Sequence, residues 1–202
     1  MNYLAHIFLS ADIAHLKIGN LIGDYVKGPL DGIKNKHIDE KIKHGLALHR
    51  EIDFFTDTNS IVKQSIHRLQ PKYHKFSGIC VDMFYDHFLA KKFDEYSSIP
   101  LLEFSQNFYK FVEENHQILP EGIEKLVNSM IQRDWFTNYQ YLENITWALK
   151  GIARQSTFES GIENAVEDLL LDYEMYEQEF DDFFPLLQQH CQLFIQKIEP
   201  KN

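Results

Sequence analysis

Apolar residues recur at spacings of three and four along almost the entire chain, and no Asn-Gly or Asp-Gly turn joins two alternating stretches. A pattern with the period of a helix does not settle as a sheet, so this feature confines the chain to helices. Only nine glycines and six prolines interrupt 202 residues, which excludes collagen-like and low-complexity architectures. With 44% hydrophobic and 25% charged residues, the sequence carries enough apolar material to fold and is not disordered. The expectation is an all-α chain, a single domain over residues 1–202 with room for a substantial core.

Breakers and caps divide the chain into elements. Leu4, Ile7, Phe8 and Ala11 mark a first helix, and Ala14–Val26 a second that stops at Gly28-Pro29. The breaker-rich segment Lys27–Asn35 leads to a helix over Asp39–Phe55. Asp57-Thr58-Asn59 supplies caps for a short helix, and Pro71 suits the first turn of a long one reaching about Phe93. Further helices are expected from Leu102 to Val112, after Pro120-Glu121-Gly122, over Leu142–Arg154 and over Phe158–Ile198. Pro185 should kink or split the last of these.

A net charge of −10 weighs against a nucleic-acid binder, because phosphate contacts need clustered Lys and Arg. The charge is unevenly spread. Residues 1–100 hold 13 Lys and Arg against 12 Asp and Glu, whereas residues 101–202 hold 7 against 18. Eight of the ten histidines also fall in the first hundred residues, so chemistry that uses imidazole is expected there. The ten acids between Glu159 and Asp182, with no base among them, read as a solvated helix face. Cys80 and Cys191 form neither a CxxC motif nor a disulfide framework, which fits a reducing compartment. His6, Asp12, His15 and Lys17 interrupt the apolar stretch Met1–Ile22, unlike a secretory signal. No run reaches the ~18–20 apolar residues of a membrane span, so a cytoplasmic protein without a membrane partner is expected.

Phosphate-cradling loops, a G-x-S-x-G elbow and HExxH are all absent. What remains is a set of histidines and acids at helical spacing. His49 and Asp53, within His49–Asp57, are four apart and share one helix face. Asp82 and Asp86 repeat that spacing, and His87 follows Asp86 directly. Asp24 lies after Leu21-Ile22-Gly23 in an otherwise apolar stretch, and His6 sits within Leu4-Ala5-His6-Ile7-Phe8. Imidazole and carboxylate ligands together bind Mn, Fe, Zn or Mg, and helices can converge them on a bundle core. Such an ion acidifies bound water and clamps a phosphoryl oxygen. A di-iron carboxylate bundle fits less well, since it needs paired Glu-x-x-His motifs and only Glu113–His116 matches.

Asn2–His6, Gly19–Gly28, His49–Asp57 and Asp82–Leu89 together resemble the acyl carrier protein phosphodiesterases. The likeness continues more loosely through Trp135, Gly151–Arg154 and Phe183-Phe184-Pro185. The resemblance implies an HD-domain-like helical bundle and Mn²⁺-dependent hydrolysis of the phosphodiester joining 4′-phosphopantetheine to a serine of holo acyl carrier protein. The familiar HD order is a His, a His-Asp doublet and an Asp. Here the doublet is inverted as Asp86-His87, and Asp24 precedes His49.

The expected metal ligands are therefore Asp24, His49, Asp53 and Asp86, with His6 and His87 beside them as ligands or supporting residues. Arg50 or Lys27 is expected to hold a phosphate oxygen, and His87 or His6 to protonate the departing serine. Lys27, Lys34, Lys36, Lys41 and Lys43, with Lys17, form an expected docking patch for the small acidic carrier. Two rivals are a nucleotide phosphohydrolase sharing the metal site and a non-catalytic helical binding protein.

Overall fold

From Cys80 to Ala90 every residue but Asp82 is buried, the signature of a helix surrounded on all sides by others. The computed structural model describes residues 1–199, and among these every regular element is helical. Residues 200–202 of the expected domain lie outside the described residues. In chain order the helices are α1 (Tyr3–Phe8), α2 (Ala14–Ile22), α3 (Glu40–Thr58), α4 (Ser60–Tyr73), α5 (Ser77–Lys91) and α6 (Phe93–Tyr96). They continue with α7 (Leu101–Glu114), α8 (Glu124–Gln132), α9 (Trp135–Asn138), α10 (Leu142–Gln155), α11 (Ala165–Leu171) and α12 (Tyr173–Ile198). The all-α expectation holds. Helix α5 is the central one, with α1, α4, α10 and α12 packed around it.

The contact that matters most for the site is between α2 and α3. A Cβ on Gly19 would lie 2.4 Å from the Gly45 Cα, and one on Gly45 would lie 2.7 Å from the carbonyl oxygens of His15 and Leu16. The two helices therefore meet backbone against backbone, an approach that larger side chains would prevent. The residues flanking this crossing, Asn20 on α2 and His49 on α3, are brought together as a result.

Both helix-interior prolines behave differently from the sequence expectation. Pro71 lies in the last turn of α4 rather than opening the next helix, because Leu69 and Tyr73 on either side of it are buried and hold the turn in place. The chain then reverses at His74, whose φ is +50°, before α5 begins. Pro185 does not split α12, which runs unbroken from Tyr173 to Ile198. Phe180, Phe183, Phe184 and Leu187 around it are fully buried. Each such side chain contributes about 1.5–3 kcal/mol, more in sum than the ~3 kcal/mol an interior proline costs. The break in this region falls instead at Asp172, between α11 and α12.

The acidic stretch is not a bare solvated face either. Glu179 holds Arg68 at 2.6 Å, Asp181 holds Lys92 at 2.6 Å and Asp168 holds Lys72 at 2.7 Å. Acids of the C-terminal half thus clasp Arg68 and Lys72 on α4 and Lys92 just beyond the end of α5. No helix is long and apolar enough to cross a membrane among the described residues.

Candidate metal centre

Asn20 is fully buried on α2 and holds two histidines at once. Its side-chain oxygen accepts from His6 Nδ1 at 3.0 Å, and its backbone carbonyl accepts from His49 Nδ1 at 3.1 Å. The amide orientation is fixed, because Asn20 Nδ2 donates to Ser10 Oγ and Ser10 Oγ donates to the His6 carbonyl. Both oxygens of Asn20 are acceptors, so both rings must carry their proton on Nδ1. Gly23 makes room for this arrangement. A Cβ there would fall 2.2 Å from the His49 ring.

With Nδ1 committed, each ring turns Nε2 towards Asp53. His6 Nε2 lies 3.2 Å from Asp53 Oδ1, and His49 Nε2 lies 3.2 Å from Oδ2. The two rings are stacked with centroids 4.2 Å apart. Burial pulls the His6 imidazole below its ordinary range, so that ring is neutral at pH 7. Asp53 is half-exposed, where a carboxyl group is ionised at pH 7. An ionised carboxylate therefore faces the lone pair of His6 Nε2. Two acceptors in contact repel, and a cation between them removes the conflict. Separations of 3.2 Å also suit donors each roughly 2.1 Å from one ion. Two nitrogens and a carboxylate are a set that divalent metals take, with the second partner of each imidazole already in place.

Asp24 stands at the exposed edge, its Oδ1 3.9 Å from His49 Nε2. Tyr3 lies one turn before His6 on α1. Burial, reinforced by Asp24, raises its hydroxyl and keeps it protonated. The structure thus brings together His6, His49 and Asp53, with Asp24 beside them, and places the other expected residues elsewhere.

Asp86 is buried and engaged with α1, accepting from the backbone N–H groups of Asn2 (3.2 Å), Leu4 (2.9 Å) and Ala5 (3.4 Å). It satisfies the free N–H groups that open α1 and so anchors the helix that carries His6. Burial pushes its carboxyl up to about 7, against the pull of the Met1 amino group and these N–H donors. His87 gives Nδ1 to the Tyr139 carbonyl at 2.8 Å and faces the Tyr173 hydroxyl with Nε2 at 2.9 Å. Arg50 donates to the carbonyls of Val26 (3.3 Å) and Gly28 (2.6 Å). Lys43 turns to Glu40 at 2.6 Å, whereas Lys27, Lys34, Lys36 and Lys41 are exposed. Sequence reasoning missed Asn20 and Ser10. Their signal was the presence of a carboxamide and a hydroxyl in apolar helical surroundings.

A second group pairs His15 and His44 with Glu199. His15 Nε2 and His44 Nδ1 both lie against Glu199 Oε1, at 2.8 and 2.6 Å.

The family model described as acyl carrier protein phosphodiesterase matches residues 1–187. The chain belongs to the acyl carrier protein phosphodiesterase family. A relative from Photorhabdus laumondii subsp. laumondii bearing that name is 27% identical over 193 residues, covering 95% of this chain and 96% of its own. One from Klebsiella pneumoniae (strain 342) is 30% identical, with 92% and 94% covered. One from Pectobacterium atrosepticum is 28% identical, with 94% and 96% covered. No solved structure matches at a significant level. The span matching the acyl carrier protein phosphodiesterase family includes His6, Asn20, Asp24, His49 and Asp53 and ends before Glu199.

Proposed function

We propose that this protein hydrolyses the phosphodiester joining 4′-phosphopantetheine to a serine of holo acyl carrier protein, releasing the apo carrier and 4′-phosphopantetheine. The observation that carries this reading is the convergence of His6, His49 and Asp53 around Asn20 in a chain of this family. In this reading the cation is Mn²⁺, held by the two Nε2 atoms and the Asp53 carboxylate, with Asp24 at the open side. When bound, a divalent ion supplies Lewis acidity towards water and phosphoryl oxygens.

The chain's own residues do the rest. Asn20 fixes which nitrogen each ring presents, and Asp53 offers its carboxylate from the half-exposed side. Tyr3 keeps its proton and can donate a hydrogen bond to a phosphate oxygen at the Asp24 edge. Arg50 is a positioning residue in this scheme. It ties the Val26–Gly28 backbone, and with it Lys27, to α3. His6 and His87 are both committed to other partners, so solvent at the exposed Asp24 edge supplies the proton for the departing serine oxygen.

The docking surface is the loop following Asp24. Lys27, Lys34 and Lys36 are exposed there with Ile33, which is 85% exposed, and Lys41 is exposed in the first turn of α3. An exposed apolar side chain in a segment that bears lysines suits an acidic helical partner, steered by charge and anchored by contact. The reading places a single HD-related helical domain in the cytoplasm, acting in fatty acid biosynthesis.

Incubating holo acyl carrier protein with the purified protein and Mn²⁺ tests this directly by intact mass. The carrier is expected to lose the mass of its arm. An unchanged carrier mass with folded protein would refute the assignment.

A further inference from the structure

Against the start of α1, the helix that carries His6, lies a cavity of about 790 Å³ that the mechanism above does not use. Its volume falls within the roughly 300–1,000 Å³ of small-ligand pockets. Tyr3, one turn before His6 on α1, lines this cavity, so the helix that carries His6 also walls the cavity. The cavity's chemistry is selective. Arg133, Lys150 and Arg154 line it, and no carboxylate does. Carboxamides come from Asn2, Asn144 and Gln155, and apolar faces from Trp135 and Trp147. An occupant is therefore neutral or anionic, offers amide partners and carries apolar carbon between them.

Gly151 belongs to the wall. A Cβ built there meets nothing within 4 Å, which leaves the cavity open where α10 passes.

Resting on the proposed reaction, we infer that this cavity holds the pantetheine arm of the substrate, with its phosphate at the Tyr3 side towards Asp53. The arm is a thin chain of two amides, a hydroxyl and a dimethyl carbon, and it carries no positive charge. The carboxamides pair with its polar groups, the indoles cover its carbon, and the three cations tolerate its anionic end. The carrier body then stays outside, on the lysine-bearing loop.

The chain's two tryptophans both line the cavity, so occupancy can be read by intrinsic fluorescence without catalysis. Protein without added metal is titrated with 4′-phosphopantetheine, pantetheine, AMP and inorganic phosphate. A saturable change is expected with the first two and none with inorganic phosphate. Gly151→Met, which fills the open wall and relieves a helix of a glycine, should retain its unfolding midpoint and weaken binding tenfold or more. Equal binding by folded Gly151→Met, no change in the wild type, or a response to AMP alone would each overturn the assignment. The mass assay reports on the reaction separately. Wild-type protein that strips the carrier but ignores free pantetheine would refute the cavity and leave the reaction standing.

Discussion

Two groups of two histidines and one carboxylate flank the α2–α3 crossing, and they differ in how the rings are held. At His6, His49 and Asp53, both Nδ1 atoms donate to oxygens of one residue, Asn20, and both Nε2 atoms turn inward. At His15, His44 and Glu199, two different ring nitrogens, Nε2 and Nδ1, converge on a single carboxylate oxygen. Ring N–H groups satisfy that second arrangement with protons alone. The comparison teaches that ligand identity does not make a metal centre. What the other nitrogen of each imidazole touches decides whether a proton or a lone pair is presented.

The sharpest way to break this comparison is at Asp53. Asp53→Ala removes the carboxylate both rings face, from a half-exposed position where folding should survive. Mn²⁺-dependent release of 4′-phosphopantetheine is expected to fall by roughly 10³-fold or more, read as kcat by intact mass. Asn20→Leu removes the side-chain acceptor of His6 and leaves the backbone carbonyl that holds His49. Metal affinity should then drop about 10- to 100-fold in competition with a chelator. Unaltered affinity would mean that the ring orientation has another source.

Asp86→Ala probes the anchor of α1. Leaving the N–H groups of Asn2, Leu4 and Ala5 without their acceptor should cost about 1–3 kcal/mol in urea unfolding. The smallest effect belongs to the second triad. Hydrogen bonds from His44 and His15 hold Glu199 below its ordinary value of 4.5. A depressed folded value means its stabilisation is complete above the ordinary value and is lost as pH falls through the folded one. Unfolding midpoints of wild type and Glu199→Gln should therefore differ slightly at about pH 6 and converge near about pH 3. Metal content should not change.

The helices and the His49–Asp53 pair were legible in the sequence because both depend on local spacing. A separation of four residues on one helix brings two side chains together whatever the rest of the chain does. His6 joins them through a tertiary event, the contact of Gly19 with Gly45, which no local periodicity reports. Asp86 shows the limit from the other direction. A buried acid needs partners, and sequence alone could not say whether those would be a metal or the N–H groups of α1. The charge division along the chain misled in a similar way. Five acids of the C-terminal half, Asp168, Asp172, Glu177, Glu179 and Asp181, lie against Arg68, Lys72 and Lys92, so the two halves of the sequence are not separate in charge.

Mn²⁺ binding followed by electron paramagnetic resonance, on wild type, His49→Ala and His44→Ala side by side, tests the central claim most directly. The account predicts a bound ion in the wild type, retained in His44→Ala and lost in His49→Ala. Retention of the ion by His49→Ala, or its loss from folded His44→Ala, would contradict it.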